Sequence, residues 1–328
     1  MVRLITIGIP AYKRADYLKE AVHSALTQTY TNIEVLISQN PSTESITKSI
    51  RSWCKNLEKK DSRVRYQENT RNLGMGGNWN AIADSAKGEF LILLADDDML
   101  LPDFVKKTVN AIQSNTSVVF ANNYMADSHG RRLEKRTVDF VREYHRDCIP
   151  AGPVENPEIC AWQSSIPIVA SLIRTSDVRR IRFLEDVNIP EATFFIELAK
   201  EGGNFVFVPE YLSEYRVHTQ STTAQGLENH KRLKYMKDIP ATPDIEQYKQ
   251  DFISNRIINA VNCCLIKGDW DLAREFINSK YYTQLQKKSI RGRIQSFLLR
   301  LPPSIGSELF RFLKRIKNRL LSLGWIKP

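Results

Sequence analysis

Four short strand-like runs, separated by stretches with helical spacing, constrain this chain more than any other feature. They cover residues 4–9, 33–37, 63–67 and 90–94, and each reads as a strand, the first, second and fourth apolar throughout or nearly so. Between the first two, Leu18, Ala21, Val22, Ala25 and Leu26 recur at the spacing of one helix face, with Asp16 placed to cap it. A second helix is expected over residues 45–57. A short one should run to Ala86 after the Gly-rich loop of residues 72–78. Strands alternating with helices predict an α/β domain on a mostly parallel, Rossmann-like sheet. Ligands of such sheets sit at the carboxyl ends of strands. The loops after Ile9, Ile37 and Leu94 are therefore where chemistry is expected.

Further along, Val118-Val119-Phe120 and residues 205–208 read as strands, and residues 192–200 as a helix ending at Gly202-Gly203. Beyond Gly226 the pattern is helical, with Gly268 a stop between two helices. With 42% hydrophobic and 26% charged residues in 328, the composition excludes disordered and collagen-like classes. No apolar run approaches the roughly 20 residues of a spanning helix. The opening residues read as a strand running into Lys13-Arg14, not as a signal peptide. Five scattered cysteines without a C-x-x-C pair predict reduced thiols and a cytoplasmic chain.

The net charge of +10 is confined to one place. Residues 287–328 hold eleven Lys/Arg and one acid, Glu308; the 47 basic and 37 acidic residues of the whole chain then leave 36 of each before it. In that segment Ile305, Leu309, Phe312, Leu313, Ile316, Leu320 and Leu323 form a helical stripe, with Arg311, Lys314, Arg315 and Arg319 opposite. Ile294, Phe297, Leu298 and Leu301 make a shorter apolar face flanked by Arg291, Arg293 and Arg300. A basic amphipathic helix suits an anionic membrane surface, while docking of the stripe on the body is the structural alternative. A neutral body with no second basic patch argues against nucleic acid.

Asp96-Asp97-Asp98 directly follows the fourth strand. Three adjacent carboxylates repel by several kcal/mol at low dielectric, so a fold keeps them where solvent or a cation compensates. Hard oxygen ligands favour Mg²⁺ or Mn²⁺. A solvated acidic turn before the helix at Pro102-Asp103 is the other possibility. The Gly-rich loop is neither G-x-G-x-x-G nor a P-loop, and reads as a turn or as a phosphate cradle.

Taken together, Ile5-Thr-Ile-Gly-Ile-Pro-Ala-Tyr-Lys-Arg14, Tyr17-Leu-Lys-Glu-Ala-Val22, Ser24-Ala-Leu-Thr-Gln-Thr-Tyr30 and Asn32-Ile-Glu-Val35 resemble the opening of the family 2 glycosyltransferases. The resemblance continues through Asn72-Leu-Gly74, Ala86-Lys-Gly-Glu-Phe90, Leu94-Ala-Asp-Asp-Asp98, Ala170-Ser-Leu-Ile-Arg174 and Tyr215-Arg-Val-His218. It implies an inverting enzyme with a GT-A-type nucleotide-sugar-binding domain over residues 1–225. A helical extension (226–286) and the basic amphipathic tail (287–328) follow.

By that resemblance, Pro10 and Tyr12 pack on the nucleotide base, Asn40 reads it, Arg71 lies beside base and phosphates, and Asp96 contacts the ribose. Asn40 stands where the family commonly has Asp, and an amide that donates and accepts can still read uracil. Asp97 and Asp98 match the metal ligands and His218 a histidine near the metal. Glu191, before Phe194-Phe195, matches the catalytic base, with Glu185 and Asp186 as competitors. The implied function is sugar transfer from a UDP- or dTDP-linked donor to a saccharide or lipid-linked acceptor, with Mn²⁺ or Mg²⁺. Bacterial surface polysaccharide biosynthesis, peripheral on the inner face of the plasma membrane, is the expected setting. A non-catalytic binding protein of the same fold, or another nucleotide-dependent α/β transferase, is the alternative.

Overall fold

The computed structural model describes residues 2–226 and 228–322. The chain divides into two compact units at Leu227/Glu228. In the first, β1 (Ile5–Ala11), α1 (Ala15–Leu26), β2 (Ile33–Gln39), α2 (Glu44–Lys60), β3 (Val64–Glu68), α3 (Gly74–Ser85) and β4 (Phe90–Leu93) follow the alternation expected from the sequence. Then come β5 (Met99–Leu100), α4 (Phe104–Asn110), β6 (Thr116–Ala126), α5 (Glu134–Glu143), β7 (Gly152–Pro153), α6 (Pro157–Trp162), β8 (Ser171–Arg174), α7 (Thr175–Ile181), α8 (Glu191–Lys200), β9 (Asn204–Arg216) and α9 (Thr222–Gln225).

One sheet takes the strand order β3-β2-β1-β4-β8-β6-β9-β5, with β7 beside β9. Its first four strands are parallel, in the register Ile5↔Ile33, Val35↔Val64 and Ile5↔Phe90. The parallel character stops there. β8 enters antiparallel between β4 and β6, so the second half of the sheet is mixed. The core lies where the β-branched runs predict: Ile5, Ile7, Ile9, Val35, Ile37, Phe90 and Ile92 are buried against Leu18, Ala21, Val22 and Ala25 of α1. Asp16 does not cap α1. It lies in the first turn, where a carboxylate favours the helix N-terminus, and takes a hydrogen bond from Lys19 at 3.0 Å.

The Gly-rich segment is not a loop. From Gly74, which takes φ +73°, it is the first turn of α3. Three hydrogen bonds between side chain and backbone hold the flanks: Asn78 Nδ2 donates to Ser38 O (3.0 Å), Asn80 Nδ2 to Phe183 O (2.9 Å), and Phe183 N to Asn80 Oδ1 (2.9 Å). The glycines let the 184–185 backbone lie directly on the helix. A Cβ on Gly76 would stand 2.1 Å from Leu184 O. Alanine normally improves a helix interior over glycine by about 1 kcal/mol, but overpacking against backbone that cannot rotate away costs about 1–3 kcal/mol. Gly76→Ala is therefore expected to lower the thermal midpoint. A midpoint at or above wild type contradicts this packing.

The second unit is helical: α10 (Asn229–Met236), α11 (Pro243–Lys267), α12 (Trp270–Asn278), α13 (Gln284–Lys288), α14 (Ile290–Leu298) and α15 (Pro303–Ser322). Gly268 ends α11 in the left-handed conformation, φ 78°, as the sequence predicts for a stop. All five cysteines are free.

Candidate active site

Three chain segments meet at the carboxyl edge of the sheet. The turn after β1 carries Tyr12, Lys13 and Arg14. The turn after β4 carries the three acids. β1 and β4 are parallel neighbours, so these two turns adjoin. The third segment arrives through a pairing that no local pattern announces. β5, just past the acids, runs antiparallel to β9, with Met99 opposite Glu214. That register puts Arg216 beside Asp98, and His218 beside Asp97.

The contacts follow. The Arg14 guanidinium forks across the acids, one nitrogen donating to Asp96 and the other to Asp97. His218 Nε2 lies 2.9 Å from Asp97 Oδ2 and 3.4 Å from Arg14. The backbone N–H of Gln220 donates to His218 Nδ1 at 3.2 Å, so a neutral ring carries its proton on Nε2 and gives it to Asp97. Asp98 turns Oδ1 onto the backbone N–H of Arg216 at 2.9 Å. All three acids are buried. Burial pushes the Asp96 carboxyl up to about 7 against the pull of Arg14, with the Asp97 charge adding to the rise. Burial and the same neighbouring charge hold Asp98 well above the usual carboxylate range.

Among the described residues no three His, Cys, Asp or Glu side chains converge as a ready cation cage. Asp97 and His218 adjoin; Asp98 is turned away to Arg216. The acids nonetheless fit a divalent ion. Mg²⁺ needs only one or two carboxylates, the remaining positions going to phosphate oxygens and water. The cation that Asp96 and Asp97 face in this structure is the guanidinium of Arg14.

Around Arg14 and His218 lies an open pocket of about 960 Å³, lined also by Lys13, Tyr17, Asp127, Ser128 and Thr219. That is room for a ligand of several rings. Tyr17 packs its ring 5.0 Å from that of His218, lies under the Arg216 guanidinium at 4.5 Å, and donates to Ser128 O at 3.2 Å. Arg216 in turn donates to Glu20 at 2.6 Å. Arg14, Tyr17 and Arg216 are site residues that sequence reasoning missed. Their signal is positional, since they flank strand ends, and becomes visible only once the strand order is known.

On the other side of Arg14, the expected nucleotide-side residues gather at the ends of β1 and β2. The backbone N–H of Asn40 donates to Ala11 O at 2.8 Å, which brings it next to Tyr12 and Pro10. Its side chain is occupied within the protein. Oδ1 accepts from Asn69 Nδ2 (3.0 Å) and Leu73 N (3.2 Å), and Nδ2 donates to Gly74 O (3.0 Å). Asn40 thus clamps the loop that presents the exposed Arg71. Glu191 opens α8 and is half-buried, and it is not among the described residues lining the pocket. Of its competitors, Glu185 accepts from Asn80 Nδ2 at 3.5 Å, next to α3.

Residues 6–160 match the sequence pattern of glycosyl transferase family 2. The GalNAc(5)-diNAcBac-PP-undecaprenol beta-1,3-glucosyltransferase of Campylobacter jejuni is 26% identical over 230 residues, 68% of this chain and 67% of that protein. An uncharacterized glycosyltransferase of Haemophilus influenzae is 23% identical over 267 residues, 79% of each. Among solved structures, the mannosyltransferase PcManGT from Pyrobaculum calidifontis, in complex with GDP-Man and Mn²⁺, matches 94% of this chain and 87% of its own at 15% identity, TM-score 0.57. Residues 1–349 of TarS from S. aureus match 89% and 77% at 14% identity, TM-score 0.54. At such identities these two likenesses show the fold alone, which is of the GT-A type.

Proposed function

We propose that this chain, whose residues 6–160 match glycosyl transferase family 2, moves one sugar, with inversion, from a UDP- or dTDP-linked donor to a hydroxyl of a saccharide or lipid-linked acceptor. The observation that carries the reading is the acid pair Asp96–Asp97, held by an arginine at the carboxyl edge of the sheet beside an open pocket. A departing nucleoside diphosphate gathers negative charge, and a divalent ion bound there supplies the Lewis acidity that neutralises it.

The chain's own residues do the rest. Pro10 and Tyr12 pack on the base, in the crevice that Asn40 keeps open by holding the 69–74 loop. Arg71 lies beside the phosphates, and Asp96 takes the ribose. Asp97 would supply the metal's carboxylate, with Asp98 and His218 as the other residues that would hold it. Glu191 takes the proton of the acceptor hydroxyl, a poor nucleophile without a positioned base. The name of the Campylobacter jejuni relative specifies a polyprenyl-diphosphate-linked acceptor, which supports a lipid-linked acceptor and a role in surface polysaccharide biosynthesis. On this reading the enzyme works in the cytoplasm, peripheral on the inner face of the plasma membrane.

A panel of UDP-, dTDP- and GDP-sugars, scored for thermal stabilisation with and without Mn²⁺, tests the donor. A sugar nucleotide at a hundred times its dissociation constant adds about 2.7 kcal/mol. A Mn²⁺-dependent rise with a UDP- or dTDP-sugar is the expected result. A rise with GDP-sugars alone overturns the donor assignment.

A further inference from the structure

The helical unit displays apolar side chains on the faces where a soluble helix displays polar ones. Seven of the thirteen exposed large apolar side chains among the described residues lie between Leu285 and Ile316. α14 shows why this is not careless packing. Its inner face is docked: Gln295 Nε2 donates to Ile258 O and Asn262 Oδ1, both at 2.8 Å, Gly292 lies on the Gln286 carbonyl, and Leu298 is fully buried. Its outer face then carries Ile290, Ile294 and Phe297, spaced i, i+4, i+7 and exposed. On α15, Gly306 packs on the Trp270 ring, yet Ile305 (55% exposed), Phe312 (56%) and Ile316 (41%) point to solvent along one line. The stripe predicted from the sequence is therefore not docked over these residues; Leu323 lies outside the described residues.

Cations share the surface. Arg291, Arg293, Arg300, Arg311, Lys314 and Arg315 are all exposed, and none forms an ion pair among the described residues. The chain before residue 287 is neutral, so the charge serves this segment alone. An amphipathic helix normally buries its apolar stripe against its own domain. Here the apolar stripe and the cations beside and opposite it are both exposed, which asks for a partner that is apolar at depth and anionic at its surface. A second copy of the helix would set cation against cation. A nucleic acid would leave Phe312 and Ile316 without an apolar phase. No helix among the described residues is long and apolar enough to cross a membrane.

We propose that α14 and α15 form a docking surface for an anionic lipid bilayer, lying in its plane with Ile294, Phe297, Phe312 and Ile316 in the acyl boundary and the arginines and lysines at the headgroups. The inference does not depend on which sugar the enzyme transfers.

The test uses the full chain with vesicles of phosphatidylcholine alone or with one-third phosphatidylglycerol, read by co-sedimentation. Binding is expected to the anionic vesicles only, weakening as salt rises. A variant carrying Arg311→Gln, Lys314→Gln and Arg315→Gln should bind about a hundredfold more weakly, each cation near an anionic surface being worth about fivefold. Phe312→Ser with Ile316→Ser should bind at least about tenfold more weakly, from the lost apolar burial. These side chains are exposed, so both variants should keep the wild-type melting curve and the wild-type response to nucleotide sugars. That response separates a failure here from a failure of the transferase reading. Absence of binding to anionic vesicles at low salt overturns the proposal. So does equal binding to both vesicles. Binding that heparin abolishes and the serine variant keeps would mean a polyanion partner, and a dimer lost in the serine variant without vesicle binding would mean a second copy; either overturns it.

Discussion

Asp97→Asn is expected to lower turnover by about a thousandfold and to leave the fold intact. A metal that neutralises a leaving diphosphate contributes several kcal/mol to the transition state, and each 1.36 kcal/mol is about tenfold in rate. The amide keeps an oxygen for Arg14 and for His218 but removes the charge that would hold the cation. It also relieves the crowding of carboxylates in a buried cluster, so stability should not fall much. Steady-state kinetics beside a melting curve reads both, and excess EDTA on the wild type should reproduce the kinetic loss. Full activity of the variant, or of the wild type in EDTA, removes Asp97 from the metal role.

Glu191→Gln should lower kcat by about 10²–10⁴, the ordinary result of losing a general base, with little change in donor affinity. The glutamine keeps the size of the side chain and its place at the start of α8. The structure sharpens the choice among the acids nearby. Glu185 bonds to Asn80 and lies by Gly77, so its loss should cost stability before turnover. Asp186 is the real competitor. If Asp186→Asn is inactive while Glu191→Gln stays near wild type, Asp186 is the base.

How far the sequence could be read depended on whether the deciding interaction was local. β1, β2 and β4 were legible because each is a dense apolar run bounded by turn residues, and their neighbours α1 and α2 have a clear helical period. With them came the carboxyl-edge loops and the acid cluster. β6 and β9 were legible only in their apolar cores. The structure extends them to Thr116–Ala126 and Asn204–Arg216, through Asn122, Asn123 and Glu214, polar residues that break the pattern but lie buried in the sheet. The Gly-rich turn misled for a specific reason. Local propensity charges each glycine against a helix, and the close approach of the 184–185 backbone outweighs it. The role of Arg14 was not legible, although its position after a strand was. A lone cation after a strand means nothing until β1 and β4 are known to be neighbours. Asn40 was expected to read the base, but its side chain is already committed to Asn69, Leu73 and Gly74.

The Arg14 fork has a consequence for how this protein is made. In small metal-dependent domains the ion's binding energy is the folding energy, and the apo chain is unfolded. Here the buried acids already have a counter-charge of the chain's own. If the proposed ion binds there, folding need not wait for it, because Arg14 already serves as the counter-charge of the acids.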